Sequence, residues 1–295
     1  MSARLDQLSF DPRALARWLP VFIGLAALFV PTWIRLWNGL WTQEEYEHGP
    51  LVLMVCCWLF WTKRAELAAL TPRPAPWAGG IALAFGLFMY FIGHSLNLPL
   101  FEVSAQLPIV AGALLALLGW RALRICWFAL LFMVFLIPLP PFVIVAITSA
   151  LKTRVSAAAE MLLYHAGYPI ARDGVIITIG QYRMLVADAC SGMNSMYSLS
   201  AMGLLYLYIV RRASVLHNAI MLAAIWPIAF FANVLRVMAL TLITYHFGDE
   251  AGQGFLHWAA GIVLFMVALV SLFAIDAVLV RVLGSGRTRT PKQGV

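Results

Sequence analysis

Apolar runs of about 20 residues recur from near the start of this chain to near its end, separated by short polar or proline-rich breaks. At roughly 1.5 Å of rise per residue, such a run as a helix is as long as a bilayer's hydrocarbon core is thick, about 30 Å. Composition agrees: 63% of the residues are hydrophobic and 11% charged, against roughly 25% charged in an ordinary soluble domain. The chain reads as an all-α polytopic integral membrane protein. Its net charge of +7 does not point to nucleic acid, because the basic residues punctuate the apolar runs and form no soluble patch.

The breaks predict eight spans, at about residues 18–37, 49–62, 77–96, 100–120, 125–147, 190–210, 214–246 and 255–280, in one domain over 1–295 with no further C-terminal domain. Arg4, Arg13 and Arg17 before the first run superficially resemble a signal peptide. No small-residue cleavage pattern follows, and Pro31, Trp33 and Arg35 end the run, so it reads as a retained span. Pro138, Pro140 and Pro141 break the fifth span near its far end, and Pro227 predicts a kink in the long seventh. Residues 148–189 differ in kind. From Thr148 to Tyr168, apolar positions recur at helical spacing with Lys152, Arg154 and Glu160 between them, which predicts an amphipathic helix in the membrane interface. Gly174 to Val186 predicts a short β-hairpin outside the bilayer, two β-branched runs about a glycine-containing turn.

Orientation follows from the basic residues. Alternate loops and the two ends carry Arg4, Arg13, Arg17, Lys63, Arg64, Arg73, Arg121, Arg124, Arg211, Arg212, Arg281, Arg287, Arg289 and Lys292, which is 14 of the 20 Lys and Arg residues. Both termini are expected in the cytoplasm. The amphipathic helix, the hairpin and the start of span six are expected outside it.

Four cysteines make no disulfide framework here. Cys56, Cys57 and Cys126 read as small apolar side chains within spans. Cys190 differs, because it opens span six after the one long polar interval. Unpaired N–H groups and the dipole at a helix N-terminus favour thiolate over thiol. Arg236 lies 24 residues beyond Arg212, about 36 Å along a helix, and so near the outer boundary. His257 opens span eight at that same boundary, so three reactive side chains from three helices converge on one level. Asn233 stands three residues before Arg236 and shares its face, and Asp188 reads as a cap for span six. His48, His94, His165, His217 and His246 read as interfacial or structural. No His/Cys spacing makes a zinc site, and no cofactor is implied.

Asp188-Ala189-Cys190-Ser191-Gly192, Asn233-Val234-Leu235-Arg236 and Phe255-Leu256-His257 occur in an order and spacing that resemble the exosortase/archaeosortase family. The hairpin before the cysteine and His48-Gly49 at the start of span two are similar to that family as well. The likeness covers roughly residues 18 to 280, and the compact size looks most like the exosortase B group. It implies a membrane cysteine protease or transpeptidase of the bacterial inner membrane. Its partners would be exported proteins with a C-terminal Pro-Glu-Pro motif, an apolar helix and a basic tail, in bacteria that make exopolysaccharide. Residue by residue, Cys190 matches the nucleophile, Arg236 the essential arginine and His257 the third member. Arg172 and Arg183, just before Cys190, are candidates to meet the acidic motif, with lipid head groups as the competing partner. Two other readings stay open: a rhomboid-like serine protease using Ser191 with His257, and a transporter or non-catalytic scaffold for polysaccharide export.

Overall fold

The computed structural model describes residues 12–185, 192–210, 212, 214–248 and 255–283. Among them, six helices are long and apolar enough to cross a membrane: Leu19–Thr42, Pro76–Ser95, Pro99–Leu117, Phe142–His165, Val215–Phe247 and Met266–Leu283. Three shorter apolar helices are Gly49–Thr62, Trp127–Leu136 and Tyr197–Val210. The all-α membrane architecture is as expected, and the chain divides into two compact units, Met1–Pro138 and Leu139–Val295.

In the first unit, α1 (Pro12–Trp37) leads through two 3₁₀ turns to α2 (Gly49–Thr62) and the short α3 (Arg64–Ala68). Then come α4 (Pro76–Ser95), α5 (Pro99–Ser104), α6 (Gln106–Leu117), α7 (Trp120–Ile125) and α8 (Trp127–Phe132). Prolines near the first positions of α2, α4 and α5 start those helices where no intrahelical N–H bond is lost. The tightest packing is a glycine seam on α4. Gly79, Gly86 and Gly93 are spaced by seven residues and buried, and each meets a residue spaced by seven on α5–α6. A Cβ at Gly79 would lie 2.5 Å from Ala116 N, at Gly86 2.7 Å from Ile109 Cγ1, and at Gly93 2.4 Å from Glu102 N. Two antiparallel helices with a repeat of seven keep one face on each other over their whole length, and glycines let the backbones close in.

That seam delivers Glu102 to a buried position, 4% exposed, beside the end of α1. Its carboxylate accepts from Thr32 Oγ1 at 2.5 Å, pairs with Arg35 and lies 3.5 Å from His94 Nδ1. Gly93→Ala is expected to destabilise the fold by about 1–3 kcal/mol through overpacking against backbone. Gly80→Ala, one residue outside the seam with nothing within 4 Å, is expected to cost nothing. Unfolding of both variants in detergent checks the difference, and equal stability would discount the seam.

The expected fifth span, 125–147, is corrected. The chain leaves α8 through a 3₁₀ turn (Met133–Leu136) and starts a new 25-residue helix, α9 (Pro141–His165). Pro138, Pro140 and Pro141 each lack an N–H and disfavour α geometry in the residue before them. Pro141 is itself well suited to a first helical position, so the break falls before it. The amphipathic helix expected from Thr148 is the continuation of α9, with no interruption at residue 147.

The expected hairpin is present as β2 (Ile176–Ile179) and β3 (Tyr182–Leu185), and β1 (Ile170–Asp173) adds a third strand to make an antiparallel meander. Two-residue turns begin at Gly174 (φ +62°) and Gly180 (φ +57°), in the left-handed region that two-residue hairpin loops require. One buried core lies against the meander. It unites Val155, Ala159 and Leu163 of α9 with Ile170 and Ile177 of the sheet and Val234 and Val237 of a later helix. That helix is α11 (Val215–Phe247), which runs through Pro227 and lies between α10 (Gly192–Val210) and α12 (Phe255–Leu283) in sequence.

Candidate active site

The buried face of α11 organises the second unit. His217, Met221, Ile225, Ala229, Asn233, Arg236, Leu240 and Thr244 are all buried, one every three or four residues. Such spacing draws one stripe along a helix. The stripe is apolar in its middle and polar towards both ends.

At one end sits Asp276 of α12, 5% exposed. His217 Nε2 donates to its Oδ1 at 2.7 Å, Arg212 Nη2 to its Oδ2 at 2.7 Å, and the Tyr206 hydroxyl to Oδ2 at 2.9 Å. His217 is itself fully buried, and Ser214 Oγ caps its helix by accepting from His217 N at 3.2 Å. A carboxylate removed from water is stable only with such pairing.

This contact fixes how α11 and α12 lie against each other. Met221 and Ile225 share a buried cluster with Leu272 and Ala268. Positions 217, 221 and 225 thus ascend by four while 276, 272 and 268 descend by four, so the helices are antiparallel. Arg236 is 19 residues beyond His217, and His257 is 19 residues before Asp276. At roughly 1.5 Å per residue, each position stands about 28 Å along its own helix from the His217–Asp276 contact.

Helix α10 follows the same axis. Leu199 belongs to the Met221–Leu272 cluster, and a Cβ at Gly203 would lie 2.5 Å from Ile225 Cδ1. From Tyr206 to Gly192 is 14 residues, about 21 Å in the direction of Arg236. Cys190 and Asp188 precede Gly192 in the chain and lie outside the described residues, as does Ser191.

Arg236 is 8% exposed and Asn233 3%, one turn apart beside the core of α9 and the sheet. His257 lies in the first turn of α12 and is placed by its backbone. An arginine held inside an apolar helix bundle is costly, which is why such residues are most often functional.

Residues 37–274 match the family model of the transmembrane exosortases. The chain belongs to the transmembrane exosortase family. That membership implies a sorting transpeptidase of the membrane. No curated protein and no solved structure matches the chain.

The two arginines of the meander in this exosortase differ. Arg172 donates to Glu160 Oε2 at 2.9 Å and to the Gly174 carbonyl at 2.8 Å, so it ties the meander to α9. Arg183 stands exposed on β3, opposite Thr178. Cys56 and Cys126 are buried as small apolar side chains, while Cys57 is exposed on α2. Among the described residues, no cluster suited to a metal ion is present.

Sequence reasoning missed the role of Asp276. A signal was there: Asp276 is the only acidic residue between Phe255 and Leu283, and a carboxylate in an apolar span calls for a partner. The partner's identity is a matter of register between helices, which no local pattern carries.

Proposed function

We propose that this exosortase is a cysteine transpeptidase or peptidase of the bacterial inner membrane. It cleaves a C-terminal Pro-Glu-Pro-type sorting signal from exported proteins at the outer face, in cells that couple such sorting to exopolysaccharide. The observation that carries this reading is a buried arginine, Arg236, within a chain that matches the transmembrane exosortase family. The roles of Cys190, Arg236 and His257 are then divided by their chemistry.

The Cys190 thiol gives its proton to His257, and the thiolate attacks the carbonyl carbon of the scissile peptide bond. The carbonyl oxygen becomes an oxyanion. A guanidinium is a set of donors and not a base, so Arg236 acts by charge and hydrogen bonding on that oxygen or on the thiolate. Collapse of the intermediate breaks the C–N bond, and the amine leaves with the proton held by His257. A thioester remains on Cys190 until an acceptor amine, hydroxyl or water attacks it and restores the thiol. Asp188 keeps the role of a cap expected from the sequence, and Asn233 supports Arg236 from the turn below. Arg183, exposed just upstream, is the better placed outer arginine for an acidic motif.

The test is co-expression with a membrane reporter ending in a Pro-Glu-Pro motif, an apolar helix and a basic tail. Mass analysis of the reporter should find a new C-terminus at the motif, and the mass added there distinguishes transfer from hydrolysis. A reporter recovered intact beside abundant, folded exosortase would sink the proposal.

A further inference from the structure

We infer that the buried Asp276 network sets the register of α11 against α12 and thereby brings Arg236 level with His257, so that Asp276 and His217 are positioning residues. This rests on the reading of Arg236 and His257 as parts of the active site. The network lies about 28 Å from them and takes no part in the chemistry. Asp276 is also two residues beyond the stretch that matches the family, 37–274.

The reason a pin is needed is the nature of the rest of the interface. Between the two ends, α11 and α12 meet through Met221, Ile225, Leu272 and Ala268. Apolar side chains in a lipid-soluble bundle gain little from one register over another, because lipid is as apolar as they are. A slip by one turn would move Arg236 about 5.4 Å past His257 while keeping a greasy seam. The same slip would strand a carboxylate and a fully buried imidazole away from each other. Asp276 bonds to His217 on α11, to Arg212 in the connection before it and to Tyr206 on α10, so one side chain locks three helices at a single level. Polar groups buried at one position of an apolar helix seam are well attested as register keys.

The experiment uses the full chain in membranes, with spin labels on unnatural residues replacing exposed Phe231 and Val263. In the native background one narrow distance is expected. Asp276→Ala and His217→Leu are expected to shift or broaden it by about one turn, roughly 5.4 Å, and to lower kcat on the reporter about 10²-fold with KM nearly constant. His217→Gln, which can still donate to Asp276, is expected to restore both readouts. Tyr206→Phe removes one of the bonds and serves if the stronger variants do not fold; it should broaden the distance partially.

An unchanged distance in folded Asp276→Ala, or in Tyr206→Phe where that is the only folded variant, overturns the pin. A shifted distance with unchanged kcat overturns the positioning role. If the distance shifts but the native protein never processes any reporter, the register key stands and it is the active-site reading that fails.

Discussion

Replacing Cys190 by alanine is expected to lower reporter processing by roughly 10⁴-fold or more, the scale on which loss of a nucleophile acts when no other group can form the covalent intermediate. The variant should accumulate intact reporter while retaining the unfolding midpoint of the native chain, because the exchange removes one sulfur atom. Ser191→Ala is the companion measurement and is expected to stay within a few-fold of native. The opposite pattern, with Ser191 essential and Cys190 dispensable, would move the protein to a serine mechanism. A thiol-directed probe adds a readout independent of any substrate. Labelling of Cys190 in intact membranes should outpace that of Cys57, which is exposed on the apolar helix α2, if the helix start lowers the thiol's proton affinity as proposed. Failure of any probe to form an adduct at Cys190 would favour a transporter or scaffold.

The second large effect is expected at Arg236. Arg236→Met keeps much of the apolar stem and removes the guanidinium, and processing should fall about 10²–10³-fold, as when a single oxyanion donor is lost. Arg236→Lys should recover only part of the rate. A lysine offers a point charge where the planar guanidinium offers donors in a fixed fork. Because Arg236 is buried at 8% exposure, each variant must be read beside its unfolding midpoint. A rate that falls only in proportion to folded protein would assign Arg236 to structure and not to chemistry. Single-turnover measurement of thioester formation on Cys190 separates the two.

Much of this protein was legible before any tertiary contact was known, for identifiable reasons. Span length and the basic residues at span ends are local features, imposed by bilayer thickness and charge cost on each segment alone. The expected helices at 77–96, 214–246 and 255–280 accordingly agree with α4, α11 and α12 to within a few residues. The expectation for 125–147 failed because three prolines left several break points, and only packing of Val155, Ala159 and Leu163 against the sheet and α11 shows how far α9 extends as one element. The first strand of the meander was overlooked because Arg172 and Asp173 interrupt the β-branched pattern. Its pairing, Arg172 opposite Ile177, is a non-local fact. The glycines of α4 likewise read as generic small residues until Ala116, Ile109 and Glu102 appeared opposite them at the same spacing.

By itself the sequence determined that this chain lives in a membrane and where several of its long helices lie. Those are consequences of hydrophobic length, charge placement and motif order, each readable along one strand of text. Only the tertiary structure decided that His217 meets Asp276, and with it which register α11 takes against α12. Register between two apolar helices is a relation between distant residues. Nearly every local pattern is compatible with several registers, and a buried carboxylate with its hydrogen-bond partners singles out one.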